Sequence, residues 1–426
     1  MPKKLTTSPL HQLTIWHHFV RGSLGTGVAV VARAAGALII NKLFATYAPA
    51  GGLTLLAQFQ NLMALFTAMP NDGVQVGLVK YLAPLRPGSP RYRLWLGAAA
   101  ALNGAAVLAG AGVLVAWGLL GWGWGSLAAF VAGIALLTGQ GLVGAALLAA
   151  GRLRAYLGLL VLLAGLGTGA VALGLLGHYS LRVVLLGYLL AQGLTLGPAL
   201  WLASRAGLLR HWRVVAPVSR LALRRLGHFL LMAVSTLVFG KAVDYALRDH
   251  LLLTYGPART DLWQVVAKLS DNYTMVFAAV MSSVFYPRLA ALAGQPRAAR
   301  AYLLGVLKLL APVLAIGLGL LFVCRDWLLP LLFAPRLLGA RAFLAPQLLG
   351  DWAKLLSWLF IFQLTASART GPYVAVQAAS AVVFAGLLAV LLPRFGLEGA
   401  VLAHAGRYGL LLLACAAYQL KKRNEE

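Results

Sequence analysis

Charged side chains inside apolar stretches are the residues of this chain best placed to do chemistry. Arg33, Lys42 and Asp72 lie in such stretches in the first half of the sequence. The second half holds a longer set, namely Lys241, Asp244, Arg248, Asp249, Lys268, Asp271, Lys308, Asp351, Lys354 and Arg407. An ionised side chain at the centre of a lipid bilayer costs about 2.5–3.5 kcal/mol, so it normally faces a partner or a water-filled cavity. The pattern predicts a polar interior.

Several of these charges share a helical face with a residue of opposite sign. Lys241, Asp244 and Arg248 are spaced by three and four residues, so they form either a self-neutralising ladder or, at Arg248, part of a substrate path. Lys268 and Asp271 are one turn apart. Asp271 is therefore either the fixed partner of Lys268 or a carboxylate that binds and releases H⁺ or Na⁺.

Other charges are compensated differently. Asp351 and Lys354 are one turn apart and can pair, whereas Arg33 has no acid in its own apolar stretch. The counter-charge of Arg33 must come from another helix or from a ligand. Asp72 is the only acid of the first half and lies near the cytoplasmic end of its stretch, and Arg407 lies one turn from His404.

The bases outnumber the acids among these residues, which predicts that the interior takes an anion. Arginine suits phosphate in particular, because its planar fork donates two hydrogen bonds to one group and stays charged when desolvated. Gln58, Gln60 and Asn61 make a neighbouring stretch polar without charge, and Gln264 shares a face with Lys268. These amides form either a sugar-binding wall or hydrogen bonds between helices.

The composition is that of a polytopic membrane protein. The chain is 61% hydrophobic and 11% charged, with a mean hydropathy of +0.83. A membrane-spanning helix needs about 20 mainly apolar residues. Twelve windows meet this requirement, at 23–44, 53–80, 94–120, 126–148, 155–176, 182–203, 227–250, 262–286, 301–323, 343–367, 371–392 and 398–420. We expect an all-α protein of twelve spans with short loops.

The net charge of +26 follows the topology of these windows. Lysines and arginines concentrate on alternate short loops, which predicts that both termini are cytoplasmic. A nucleic-acid partner is not expected, because the charge does not gather into one patch. The basic stretch 204–225 divides the chain into a six-helix lobe at 1–203 and a second at 226–426, and the equal orientation of the two lobes permits a parallel repeat.

No enzyme signature competes with a transport function. The sequence has no H-E-x-x-H motif, Walker A motif, Ser-His-Asp arrangement or Asp-rich metal loop, so we expect no catalytic residue, metal or cofactor. Energy would then come from an H⁺ or Na⁺ gradient, from the membrane potential or from the gradient of the substrate itself.

Several stretches resemble one family of transporters. They are 42–52, 59–62, 77–81, 263–264, 270–273, 327–329 and 347–354. Together they are similar to the Wzx-type flippases of O-antigen and enterobacterial common antigen. The resemblance spans nearly the whole chain at low identity, and it implies the fold of the multidrug/oligosaccharidyl-lipid/polysaccharide exporter superfamily. That fold has twelve helices in two six-helix lobes around a central cavity.

The resemblance also implies a substrate and a location. The substrate would be an undecaprenyl-pyrophosphate-linked oligosaccharide, moved from the cytoplasmic to the periplasmic leaflet of the bacterial inner membrane. Membrane lipids and the polymerase and chain-length regulator of the same pathway would be the partners.

Site roles follow from the residues and the resemblance together. Arg33, Lys42, Arg248, Asp271, Asp351 and Lys354 match charged positions of the family. The pyrophosphate-binding candidates are Arg33, Lys42, Arg248, Lys268, Lys354 and Arg407. Those for sugar binding are Gln58, Gln60, Asn61 and Gln264. Those for ion coupling or gating are Asp72, Asp244, Asp271 and Asp351. Lys241, Asp244 and Asp249 match no family position.

Two other functions are considered. A cation-coupled drug or metabolite antiporter of the same superfamily should have an acid-dominated cavity, which the excess of bases opposes. A polyprenyl-phosphate glycosyltransferase or polymerase would need a catalytic base and large periplasmic loops, whereas the longest outer loop is expected at about 324–342.

Overall fold

The computed structural model of the protein describes residues 30–117, 123–208, 219–292, 295–366 and 370–425. Every regular element in these ranges is a helix. The helices of the first half are α1 (Val30–Tyr47), α2 (Gly52–Ala68), α3 (Val76–Leu82), α4 (Pro90–Trp117), α5 (Trp124–Ala149), α6 (Leu153–Leu176), α7 (Leu181–Gly193) and α8 (Leu196–Arg205). A π-helix at Met69–Gln75 joins α2 to α3.

The second half begins with α9 (Arg220–Thr236), which a π-helix at Leu237–Ala242 connects to α10 (Val243–Val280). A further π-helix at Met281–Phe285 leads into α11 (Tyr286–Ala291). The remaining helices are α12 (Pro296–Val323), α13 (Arg325–Leu332), α14 (Leu344–Ala366), α15 (Thr370–Phe395) and α16 (Glu398–Glu425). A 3-10 helix at Pro335–Phe343 separates α13 from α14.

The all-α prediction is confirmed over the described residues, and each of the twelve predicted segments contains a helix. Within the described ranges, nine helices are long and apolar enough to cross a membrane. The predicted outer loop at 324–342 has regular structure of its own, because α13 and the 3-10 helix occupy most of this segment.

Two segments depart from α-helical geometry, one at a proline and one at a glycine. Pro70 lacks the backbone N–H that an α-helix requires, and it lies in the π-helix of Met69–Gln75. In α10, Gly256 has φ 77° and precedes Pro257, which divides the helix into arms at 243–255 and 257–280. A left-handed φ strains any side-chain-bearing residue, so glycine suits this bend. The seventh predicted segment thus contains most of α9, the π-helix and the first arm of α10, and the eighth contains most of the second arm.

The apolar core is continuous at one end of the bundle and divided at the other. The largest cluster joins α1 and α2, through residues such as Phe44 and Leu56, to the second half through Leu251, Phe333 and Leu344. At the other end, one cluster joins α3, α4 and α9, and a separate one joins the end of α10 to α11, α12 and α14. The two halves are thus joined at both ends, by the largest cluster at the end that bears the α1–α2 turn and by the packing of α9 on α3 and α4 at the other.

Close packing of α14 on α16 depends on Gly350. A Cβ atom at this position would lie 2.8 Å from the Cα of Ala405 and 2.6 Å from a ring carbon of His404. Contacts this short with backbone force the two helices apart.

We therefore expect Gly350→Ala to lower the free energy of unfolding by about 1–3 kcal/mol, which is the usual cost of overpacking. The measurement is thermal unfolding of purified protein in detergent. Gly386→Ala is the matched control, because a Cβ there meets nothing within 4 Å. Equal melting temperatures for the two variants would contradict this account of the α14–α16 contact.

Candidate functional site

A cavity of about 650 Å³ lies inside the bundle. Residues of α1, α2, α3, α5, α6 and α7 form most of its wall, and α10 contributes Lys268, Asp271, Asn272 and Met275. The lining reaches Val79, near the end of α3. The cavity therefore extends toward the end of the bundle at which the apolar core is divided.

Two of the predicted anion-binding residues face this cavity. Arg33 lines it from α1 and is exposed, and no ion pair or hydrogen bond joins it to another described residue. Lys268 is 8% exposed, and its ammonium donates a short hydrogen bond to Gln60 Oε1 on α2. Lys268 thus links the two halves of the chain while it keeps its positive charge at the cavity wall.

Asp271 also lines the cavity and is exposed. Its predicted pairing with Lys268 is not seen, because no ion pair joins the two in the part of the chain that the structure describes, and Lys268 bonds to Gln60 instead. Of the two alternatives for Asp271, the arrangement favours a carboxylate that is accessible from the cavity.

Most of the polar cavity wall is uncharged, and sequence reasoning missed nearly all of it. Of the predicted sugar-binding residues, Gln60 lies on this wall. The others that line it are Asn41, Thr67, Gln75, Gln140, Tyr156, Tyr188, Gln192 and Asn272. A single amide or tyrosine in an apolar helix is a common packing residue, so the only available signal was their repetition across six α-helices. Amides donate and accept hydrogen bonds, as recognition of sugar hydroxyl and acetamido groups requires.

A second polar cluster surrounds Asp351, which is fully buried. Its oxygens receive hydrogen bonds from Tyr273 and Gln347, and Lys354 Nζ lies 3.8 Å away. The Asp351 and Lys354 pairing predicted from their spacing is confirmed. His404 Nε2 lies 3.0 Å from Asp351 Oδ1, a contact that the sequence did not reveal because α14 and α16 are distant in the chain.

At the end that bears the α1–α2 turn, the two halves are joined by polar contacts that we call the interlobe clasp. Asp261 is 2% exposed and accepts hydrogen bonds from the backbone N–H groups of Gly51 and Thr54, each at 2.8 Å, and from the Thr54 hydroxyl at 2.6 Å. The carboxylate thereby caps the start of α2, where the helix dipole favours negative charge. In the sequence Asp261 stood at a predicted loop, so it was not selected as a site residue.

Two basic residues complete the interlobe clasp. Lys42 donates to the carbonyl oxygen of Pro330 at 2.7 Å and to that of Phe333, and Arg336 donates to the carbonyl oxygen of Ala48 at 2.6 Å. Lys42, predicted to bind pyrophosphate, thus lies in the interlobe clasp and does not line the cavity.

The remaining predicted residues lie elsewhere in the interior. Arg407 donates to Ser380 Oγ at 2.8 Å between α15 and α16, and Asn61 donates to the carbonyl oxygen of Lys241 at 2.9 Å. Arg248 Nε donates to Gln264 Oε1 at 2.9 Å, and no ion pair of the predicted Lys241, Asp244 and Arg248 ladder is present in the described ranges.

The roles predicted for three further residues stay predictions, because no contact in the structure tests them. Gln58 and Asp244 are partly buried and do not line the cavity. The side chain of Asp72 lies outside the described residues.

Comparison with known proteins connects this geometry to transporters. No family model matches the chain. The lipid III flippase of Escherichia coli (strain K12) is 24% identical over 418 residues, which cover 95% of this chain and 99% of the relative. The chain resembles the lipid III flippases. This finding confirms the resemblance stated from the sequence.

Solved structures show which fold the chain has. An outward-facing multidrug resistance MATE family transporter of the MOP superfamily matches with a TM-score of 0.70 at 12% identity, over 95% of each chain. The lipid II flippase MurJ, in an inward closed conformation, matches with a TM-score of 0.67 at 12% identity, over 94% of this chain and 87% of MurJ. The fold is therefore the one shared by the MATE transporters and MurJ.

We expect Asp261→Ala to loosen the whole interlobe clasp, because three hydrogen bonds to a buried carboxylate are lost together. Hydrogen exchange should become at least about tenfold faster, both at 51–54 and at the distant segment 330–336. Asp326→Ala is the control, since Asp326 is 59% exposed and lies 3.8 Å from Arg341. Faster exchange at 51–54 alone would show that the contacts of the interlobe clasp act independently.

Proposed function

We propose that the protein is a flippase that moves an undecaprenyl-pyrophosphate-linked oligosaccharide across a membrane by alternating access. The observation that carries the proposal is the cavity, in which Arg33 and Lys268 stand among neutral amide and tyrosine side chains. A pyrophosphate has the charge for the two bases, and a glycan has the hydroxyl groups for the amides. The similarity to lipid III flippases supports the same substrate class.

The membrane arrangement is part of this proposal. Twelve helical segments would cross the bacterial inner membrane, with six in each lobe, the basic stretch 204–225 between the lobes, and both termini in the cytoplasm. In this topology the cavity lies toward the cytoplasm and the interlobe clasp lies at the periplasmic side. The structure would then represent an inward-facing state, ready to receive substrate from the cytoplasmic leaflet.

Transport in this scheme separates the polar part of the substrate from its lipid tail. The tail stays in the bilayer while the pyrophosphate and sugars occupy the hydrated cavity, so lost phosphate hydration is replaced by Arg33 and Lys268. Release of the interlobe clasp would then open the periplasmic side. An inside-negative potential favours outward movement of an anion by about 2.3 kcal/mol per charge per 100 mV crossed. The polymerase and chain-length regulator of the pathway would take the product further.

We infer that H⁺, not Na⁺, is the coupling ion at the cluster of Asp351 and His404. Hydrogen-bond donors on Tyr273 and Gln347 occupy one carboxylate oxygen, and His404 lies against the other. A hard cation needs several free oxygen ligands, which this arrangement does not offer, whereas an imidazole can gain and lose a proton beside a carboxylate. Asp271, exposed in the cavity, is the second candidate for an H⁺ or Na⁺ site.

Because the fold is similar to that of a multidrug MATE transporter, a cation-coupled drug antiporter is the alternative function. A cationic drug requires acidic side chains at the cavity wall. Among the described lining residues, Asp271 is the one acid against the two bases Arg33 and Lys268. The charge of the cavity therefore favours the anionic lipid-linked substrate.

The deciding experiment reconstitutes the purified protein in vesicles that contain a fluorescent undecaprenyl-pyrophosphate glycan. We expect the labelled glycan to become accessible on the opposite leaflet. The Escherichia coli lipid III flippase serves as the positive control in the same assay. Movement by that control and none by this protein would refute the proposal, and dye efflux lost on Asp271→Asn would support the antiporter.

Arg33→Ala is expected to abolish this transport and to weaken glycan binding by about tenfold to a hundredfold, because it removes a charged hydrogen-bond donor from the cavity. Membrane insertion and melting temperature should not change, since Arg33 bonds to no other described residue. Lys308→Ala is the control, because Lys308 is an exposed intramembrane base that does not line the cavity. Normal transport by the Arg33 variant would remove this residue from the site.

His404→Gln should leave transport that no longer responds to an imposed proton gradient, because glutamine can hydrogen-bond to Asp351 but cannot be protonated. The measurement is the rate of glycan movement in vesicles with and without a pH difference. His250→Gln is the control, since His250 is exposed. A response to the proton gradient like that of the wild type would exclude His404 as the coupling group.

A further inference from the structure

Unpartnered polar atoms are buried between the cavity and the interlobe clasp. Arg248 is 8% exposed and Gln264 is 0% exposed. One hydrogen bond joins them, from Arg248 Nε to Gln264 Oε1 at 2.9 Å. Arg248 Nη1 and Gln264 Nε2 are both buried without a hydrogen-bond partner among the described residues. A buried donor left unpaired costs about 1–3 kcal/mol, and an uncompensated buried charge costs more.

Arg248 and Gln264 lie along α10 between the cavity and the interlobe clasp. Asp261, Gln264 and Lys268 follow one another at spacings of three and four residues on the second arm, so they lie on one helical face. Asp261 belongs to the interlobe clasp and Lys268 lines the cavity. At a rise of about 1.5 Å per residue, Gln264 lies about 5–6 Å along the helix from each of them.

The chemistry of the unpaired groups selects an anion. Both unpaired atoms are nitrogen donors, and one belongs to a guanidinium, which can bond to a phosphate oxygen with its charge retained. In the described part of the chain, no carboxylate lies within ion-pair distance of Arg248, although Asp244 and Asp249 are on the same arm. Lys268, the nearest cavity base along the face, adds to the positive field.

We propose that Arg248 and Gln264 form a second phosphate subsite, sealed in this structure and uncovered when the interlobe clasp opens. The inference rests on the proposed function and adds an exit step to it. The pyrophosphate is first held in the cavity by Arg33 and Lys268. It then moves along the same face of α10 to the Arg248 Nη1 and Gln264 Nε2 donors, from which it leaves. No bond is made or broken.

The subsite has a direct binding test with inorganic pyrophosphate as the probe. The experiment compares calorimetric titrations of Asp261→Ala, which we expect to open the interlobe clasp, with titrations of Asp261→Ala/Arg248→Gln. We expect the Arg248 change to weaken pyrophosphate binding by about tenfold to a hundredfold, or to remove one binding equivalent. Asp261→Ala/Arg341→Gln is the control, because Arg341 is 64% exposed at a distant site. Equal titrations of all three proteins would overturn the subsite.

Transport assays separate an exit site from a structural role. Arg248→Gln should move the glycan at least about tenfold more slowly and should lose less binding affinity than Arg33→Ala, which removes a cavity contact. Arg248→Lys should recover part of the rate, because it restores the charge with fewer directed donors. A rate unaffected by Arg248→Gln would overturn the proposal, as would a slow variant that Arg248→Lys does not improve.

The same data distinguish this proposal from the flippase assignment. If the wild type moves no glycan but the pyrophosphate titrations depend on Arg248, the flippase function fails and the anion subsite stands. If glycan moves in every variant and pyrophosphate binding never depends on Arg248, the subsite fails and the flippase function stands.

Discussion

The hydrogen bonds between Asp261 and the start of α2 govern the arrangement of everything else in the interior. A carboxylate that is 2% exposed is tolerable in an apolar bundle only if donors satisfy its oxygens, and two backbone N–H groups and one hydroxyl do so here. Because these donors belong to the first half and Asp261 belongs to the second, the contact fixes one helical face of α10 against α2.

That fixed face orders the functional groups by depth. Asp261 closes one end, Gln264 with Arg248 lies below it, and Lys268 and Asp271 face the cavity. The apolar core strengthens the same closed end, because its largest cluster joins both halves there. At the other end the core consists of two separate clusters, one of which also joins the halves through α9. In an alternating-access transporter, the polar contacts that close one side must separate before the charged residues of the cavity become accessible from that side.

The intramembrane charges fall into three physical situations. Those at Asp351, Lys354 and Asp261 are neutralised or hydrogen-bonded within the protein, so they stabilise a particular arrangement of helices. Arg33 and Asp271 face the cavity and remain available to a substrate or an ion. Arg248 is buried with an unpaired donor, which is costly and therefore the strongest indication of a state in which this residue has another partner.

The sequence by itself determined that the described chain is all-α and where its apolar segments lie, because a span of about 20 apolar residues is a local property that composition reveals. It also determined the Asp351 and Lys354 pairing and the excess of intramembrane bases, since residues one helical turn apart meet in any helix. It did not determine which charges share a cavity. Lys268 bonds to Gln60, Asp351 meets His404, and Lys42 meets Phe333. These partners lie far apart in the chain, so only the packing of one helix against another brought them together.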